Sequence, residues 1–135
     1  MKTGLAAAAA LISLTAMAGA RADTAQDMGA GAMNRNAPYN FQGGEAVFKN
    51  ICQGCHMANA EGAVGAGMYP ALAKNAKLEV AGYPVAVIVH GQKAMPPLGG
   101  MLSDKQVADV TNYVRSHFGN AYADKVKPED VKTVR

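Results

Sequence analysis

Cysteine is nearly absent from this chain: its 135 residues include two, Cys52 and Cys55, within one four-residue window. That excludes a multi-disulfide framework, which needs pairs spread along an exported chain. Histidine is almost as scarce, at three. Beyond the cysteine cluster only His90 and His117 remain, so a four-ligand structural zinc site lacks its second pair of ligands. Excess charge is missing too. The formal charge is +3, but Lys2 and Arg21 belong to an N-terminal segment, and without them 11 basic residues face 10 acidic ones, a net +1. Nothing in that balance favours nucleic acid or an anionic membrane surface as a partner. The sequence also lacks internal repeats, a second apolar run long enough to span a bilayer, and any pair of strand-like segments that could make a sheet.

The N-terminal segment runs Met1-Lys2-Thr3, then an Ala-rich apolar stretch to about Gly19, then Ala20-Arg21-Ala22 before Asp23. A positive start, an apolar centre and an A-x-A cleavage pattern predict a signal peptide over residues 1–22, export, and no stable membrane insertion once it is cleaved. The competing reading, an uncleaved membrane anchor, rests on the run's near-spanning length and is opposed by its weakly apolar alanines and good cleavage site. Residues 23–40 are small, polar and aperiodic up to Pro38 and are expected to form a flexible leader, with Met28 and Met33 as bystanders.

Residues 41–120 carry the helical pattern. A first helix is expected from Gly43 or Gly44 to Cys52, with Val47/Ile51 and Phe48/Cys52 as i,i+4 pairs. The Gly- and Ala-rich stretch 57–68 suits a loop wrapped closely round something bulky, and residues 71–74 suit a turn. The apolar run from Pro84 to His90 reads as a short helix with Pro at its start; a buried strand fits its periodicity equally, but has no partner. The last helix is the clearest. Ser103 and Gln106 form a capping box, Asp104 suits the positive end of the helix, Val107, Val110, Thr111, Val114 and Phe118 make one stripe, and Gly119 stops it. The lysine- and acid-rich residues 121–135 are expected to be a mobile tail. The fold class is therefore all-α with long irregular loops. Its patterned region is short for a self-sufficient core, a shortfall that a large apolar prosthetic group would fill.

Cys52-Gln53-Gly54-Cys55-His56 names that group, because C-x-x-C-H is the attachment signature of c-type haem. Each thiol adds across one haem vinyl group as a thioether, and the adjacent His56 supplies a neutral imidazole as the proximal iron ligand. A thioredoxin-like pair would need a preceding strand and a βαβ setting. A plain disulfide would leave His56 unexplained. Of the eight methionines, Met95 and Met101 remain as distal ligands once Met1 and Met17 in the signal peptide, Met28 and Met33 in the leader, Met57 beside His56 and Met68 in the proximal loop are set aside. Met95 is preferred because Pro96 and Pro97 stiffen the chain directly after it. Met101, just before the helix cap, is the alternative. If neither reached the iron, a five-coordinate haem protein binding a gas or peroxide would result.

These pieces resemble a class I cytochrome c of the bacterial periplasmic type, over residues 41–120. The matching residues are Gly44 and Phe48, the Cys52 to His56 motif, Tyr69-Pro70-Ala71-Leu72, Met95-Pro96, Leu102-Ser103-Asp104 and Tyr113-Val114-Arg115. The resemblance implies a cytochrome c fold with the first and last helices crossing at Gly44, Phe48 and Tyr113. It also implies that the Pro70 carbonyl supports His56 and that Met95 is the distal ligand. It implies an electron carrier rather than an enzyme, with one covalent haem c per chain. The MPP loop followed by LSDKQVADVTNYVRSHFGN is similar to small cytochromes that serve periplasmic flavoprotein or quinoprotein dehydrogenases, which makes a dehydrogenase the expected donor and an oxidase or another cytochrome the expected acceptor. The contact surface expected at the haem edge comprises Ala58, Val64, Ala94, Pro97 and Leu98, with Lys74, Lys77 and Lys93 at the rim. The leader and the charged tail have no counterpart in the family.

Overall fold

A computed structural model describes residues 39–65 and 67–135. The expected signal peptide and nearly all of the expected leader lie outside the described residues. The first helical rod has three parts: α1, Gly43–Val47; a π-helical turn, Phe48–Cys52; and α2, Gln53–His56. An exposed Glu45–Lys49 pair at 2.6 Å crosses one turn of it and, being open to solvent, adds little to stability. In the π turn the Gln53 N–H reaches back five residues to the Phe48 carbonyl. This widening rotates the Cys52 to His56 segment relative to Val47 and Phe48, which are buried.

The segment after His56 is better ordered than its small residues suggest. It includes a two-residue hairpin, β1 (Ala63–Val64) against antiparallel β2 (Met68–Tyr69), paired Ala63 with Tyr69 and Val64 with Met68. The Ala60 side chain is fully buried, and its carbonyl accepts from both Leu72 and Ala73, at 2.8 and 2.9 Å. A 3₁₀ turn, Ala76–Leu78, follows, capped by the Asn75 side chain.

Helix α3 spans Gly82–His90 and buries Val85, Ile88 and Val89, which resolves the helix-or-strand ambiguity in favour of helix. Helix α4, Asp104–Ser116, carries the expected capping box and buries Val107, Val110, Thr111 and Val114. Gln106 does more than cap: its Nε2 donates to the carbonyls of Tyr39 and Phe41, at 2.6 and 3.1 Å, and so fixes the chain's entry into α1. The helix stops at Ser116, before Phe118, which was expected on its stripe. Phe118 and Gly119 both turn to positive φ, yet the Phe118 ring still packs 4.8 Å from that of Phe48.

Residues 121–135, expected to be a mobile tail, are instead packed against the rest of the domain. The fully buried Arg115 donates to the carbonyls of Leu78 (2.8 Å), Glu79 (2.9 Å) and Asp124 (2.7 Å) and to the Asp124 carboxylate (2.6 Å). Asn112 pairs with both backbone groups of Val126 at 2.8 Å. Helix α5, Pro128–Lys132, then buries Val131. Val126 and Val131 add apolar burial to the polar anchors that hold the segment. A cleft of about 230 Å³, lined among others by Val85, Asp124 and Val134, remains between this segment and α3, so the anchors matter more here than close packing.

The hydrogen bond from Arg115, with its positive charge, holds Asp124 below its ordinary value of 3.8. A depressed carboxylate contributes stability that is present above that ordinary value and is lost as pH falls through the lower folded one. Asp124→Asn is therefore expected to lower stability slightly at neutral pH and to flatten the acid limb of a stability–pH profile measured by denaturant midpoints, because the contribution lost on protonation is already gone.

Candidate haem centre

The rod formed by α1, the π turn and α2 ends at His56 because Met57 takes φ 65° and ψ 161°, a conformation that only glycine adopts without strain. That break sends the chain round the 57–73 loop and back past the imidazole. His56 is buried, and its Nδ1–H donates to the Pro70 carbonyl at 2.8 Å. The bond selects the tautomer with a free lone pair on Nε2 and holds the ring plane, the support that metal-ligating histidines require. Cys52 is half-buried and Cys55 exposed, and the two are not joined in a disulfide. Burial pushes the Cys52 thiol up to about 12, with Cys55 adding to it. Among the described residues no group of three or more His, Cys, Asp or Glu side chains is gathered for a metal.

The two candidate distal methionines sit on the connection between α3 and α4. Met95 closes a tight antiparallel bridge with Gln92, each donating its N–H to the other's carbonyl at 3.0 Å. Gly91 makes the turn possible: at φ +75° a Cβ would lie 2.7 Å from the Met95 carbonyl and 2.8 Å from the Pro97 nitrogen. The base of the loop is pinned to α3 by Leu98 N–H to Ile88 and Gly99 N–H to Val89, at 2.9 and 3.2 Å. Met95 and Met101 are both half-buried against the core.

The residues present fit a covalently attached haem: two cysteines at C-x-x-C spacing with no disulfide between them, a buried imidazole with one nitrogen already satisfied, and a braced loop bearing thioethers. The hairpin beyond the motif also leaves Val64 89% and Met68 73% exposed, unusually open for apolar side chains. Of the expected edge residues, Ala58, Val64, Ala94 and Pro97 are exposed, as are Lys74, Lys77 and Lys93. Leu98 is not; it is 6% exposed and belongs to the core, because the pinned base of the loop turns it inward. His90 is exposed at the end of α3 and donates to the Val134 carbonyl at 2.7 Å.

Comparison with known proteins agrees with this geometry. The family model described as cytochrome c oxidase, cbb3-type, subunit III matches residues 40–114. The chain belongs to this cytochrome c family. It is 33% identical to the fructose dehydrogenase cytochrome subunit of Gluconobacter japonicus over 68% of its own length and 22% of that protein's. It is 33% identical to a nicotinate dehydrogenase subunit of Pseudomonas putida over 58% of its own length and 7% of the relative's. A cytochrome c6 of Bumilleriopsis filiformis is 33% identical over 57% of this chain and 91% of its own. The chain thus spans less than a quarter of either dehydrogenase relative and most of the small cytochrome. The chain has a mostly helical cytochrome c fold, and its family implies covalently bound haem c. Among the described residues no helix is long and apolar enough to cross a membrane.

Sequence reasoning missed two features of the centre. Ala60, whose carbonyl folds the proximal loop, gave no signal, since a lone alanine in a Gly/Ala stretch looks like filler. Gly91 was findable: a glycine directly after a helix and four residues before the candidate ligand is where a left-handed turn is expected.

Proposed function

We propose that this cytochrome is an exported one-electron carrier in which Cys52 and Cys55 hold the haem, His56 is the proximal ligand and Met95 the distal one. The observation that carries the reading is the His56 Nδ1–H bond to the Pro70 carbonyl beside two cysteines at C-x-x-C spacing that form no disulfide. When bound, the haem supplies one-electron exchange between ferric and ferrous iron. The protein's part is to keep that exchange outer-sphere. Cys52 and Cys55 fix one edge of the group, and Pro70 locks the His56 ring. Gly91, Gln92 and Pro96 hold Met95 in place, so that neither ligand has to move between oxidation states.

The donor proposed is a periplasmic flavoprotein or quinoprotein dehydrogenase, and the acceptor an oxidase or another cytochrome of the respiratory chain. The named dehydrogenase subunits among the relatives support this choice of donor. Export follows from residues 1–22 read as a signal peptide, with residues 23–40 as a leader. The exposed small residues Ala58, Ala94 and Pro97 suit a weak, rapidly exchanging contact of small area.

Two measurements test the reading. On a denaturing gel the haem is expected to stay with the polypeptide; a colourless polypeptide would rule out thioether attachment. In a stopped-flow assay the ferric protein should be reduced in one kinetic phase by a dehydrogenase turning over its own substrate. Failure across flavoprotein and quinoprotein donors, with chemical reductants still effective, would reject the proposed donor class.

A further inference from the structure

The last residues of the chain meet the distal loop. The Arg135 guanidinium donates from Nε to Asp104 Oδ1, from Nη1 to the Gly99 carbonyl, and from Nη2 to the Leu102 carbonyl at 2.8 Å. Beside it, the Val134 carbonyl accepts the His90 Nε2–H at 2.7 Å. These bonds grip the connection at both ends: His90 where α3 ends, and Gly99, Leu102 and Asp104 where α4 begins. Between them lie Met95, in its turn, and Met101.

We propose that Arg135 is a positioning residue that holds the 91–102 connection against the body of the protein and thereby strengthens the methionine–iron bond; this rests on the reading of a methionine from that connection as the distal ligand. An iron–thioether bond is weak, so its persistence depends on how rarely the loop swings away. A planar fork with several donors can tie two backbone carbonyls and a carboxylate at once, which a single ammonium cannot. The fork is itself anchored through the segment docked by Arg115 and Asn112. Removing it leaves the closed loop intact but raises the population of the open form.

The test uses the ferric holoprotein and its Arg135→Gln and Arg135→Lys variants, titrated with imidazole, which can bind iron only where the methionine has left. Arg135→Gln is expected to raise the apparent imidazole affinity about tenfold, equivalent to ~1.4 kcal/mol, with Arg135→Lys between it and wild type. Amide exchange at Met101 and Leu102, whose N–H groups donate to the Leu98 carbonyl, should accelerate in step, while exchange at Val110 in α4 stays unchanged. A methionine-to-iron charge-transfer band present in wild type, with imidazole affinity unmoved in Arg135→Gln, overturns the positioning role alone. A wild-type spectrum without that band overturns the ligand reading, and with it the effect at iron. In that case exchange at Met101 and Leu102 still decides whether Arg135 holds the loop, and unchanged rates overturn that as well.

Discussion

Gly44→Ala is expected to destabilise the protein by about 3 kcal/mol or more, at the upper end of overpacking effects. A Cβ on Gly44 would run into the Asp109 carbonyl oxygen and stand 2.6 Å from the Tyr113 Cβ and 2.7 Å from the Asp109 carbonyl carbon. Two of these three obstacles are helix backbone, which cannot rotate away, so α1 and α4 must separate. Separation unpacks Val47 and Phe48, both essentially fully buried, and breaks the Phe48 ring contacts with Tyr113 and Phe118. Denaturant unfolding followed by far-ultraviolet circular dichroism measures the loss. Gly82→Ala is the control, since nothing lies within 4 Å of a Cβ there and alanine favours helix; it should be neutral or slightly stabilising. Equal effects of the two substitutions would contradict the crossing described.

Met95→Ala is expected to abolish the methionine-to-iron charge-transfer band, lower the reduction potential and open the ferric protein to exogenous ligands, while barely changing secondary structure. Loss of a thioether ligand removes the contribution that raises the potential of His/Met cytochromes. Met101→Ala should retain the band, at the cost of some packing next to the α4 cap. The reverse pattern would assign the ligand to Met101. The structure gives a reason to expect the first outcome, since Met95 lies in a bridge closed by two backbone hydrogen bonds and a left-handed glycine.

What could be read from the chain alone was what depends on near neighbours. The Cys52 to His56 motif, the Ser103–Gln106 capping box and the Val107 to Val114 stripe each use residues within a turn or two, and each is present as expected. Helix α3 was legible only because no second strand-like segment could pair with it, since its periodicity fitted a strand equally. The packed tail was not. Arg115 and Asn112 look like ordinary polar positions on a surface helix. Their importance depends on Leu78, Glu79, Asp124 and Val126 arriving from elsewhere, and a charged composition says nothing of which charges will find partners. The 63–69 hairpin was hidden because two-residue strands leave no periodicity to detect. The bond between His56 and Pro70 spans fourteen positions; here family likeness pointed to the proline where spacing alone could not.

The π turn bears on how this chain can vary. The spacing from Phe48 to Cys52 sets an angle as well as a distance, because every residue on a helix also turns the ones beyond it. The 57–73 and 91–102 loops can lengthen and return to the same anchors. Deleting one residue between Phe48 and Cys52 would keep the crossing with α4 but swing both thiols and the imidazole round the rod together, facing them away from Pro70. Length variation among descendants of this sequence should therefore collect in the loops and spare those few positions.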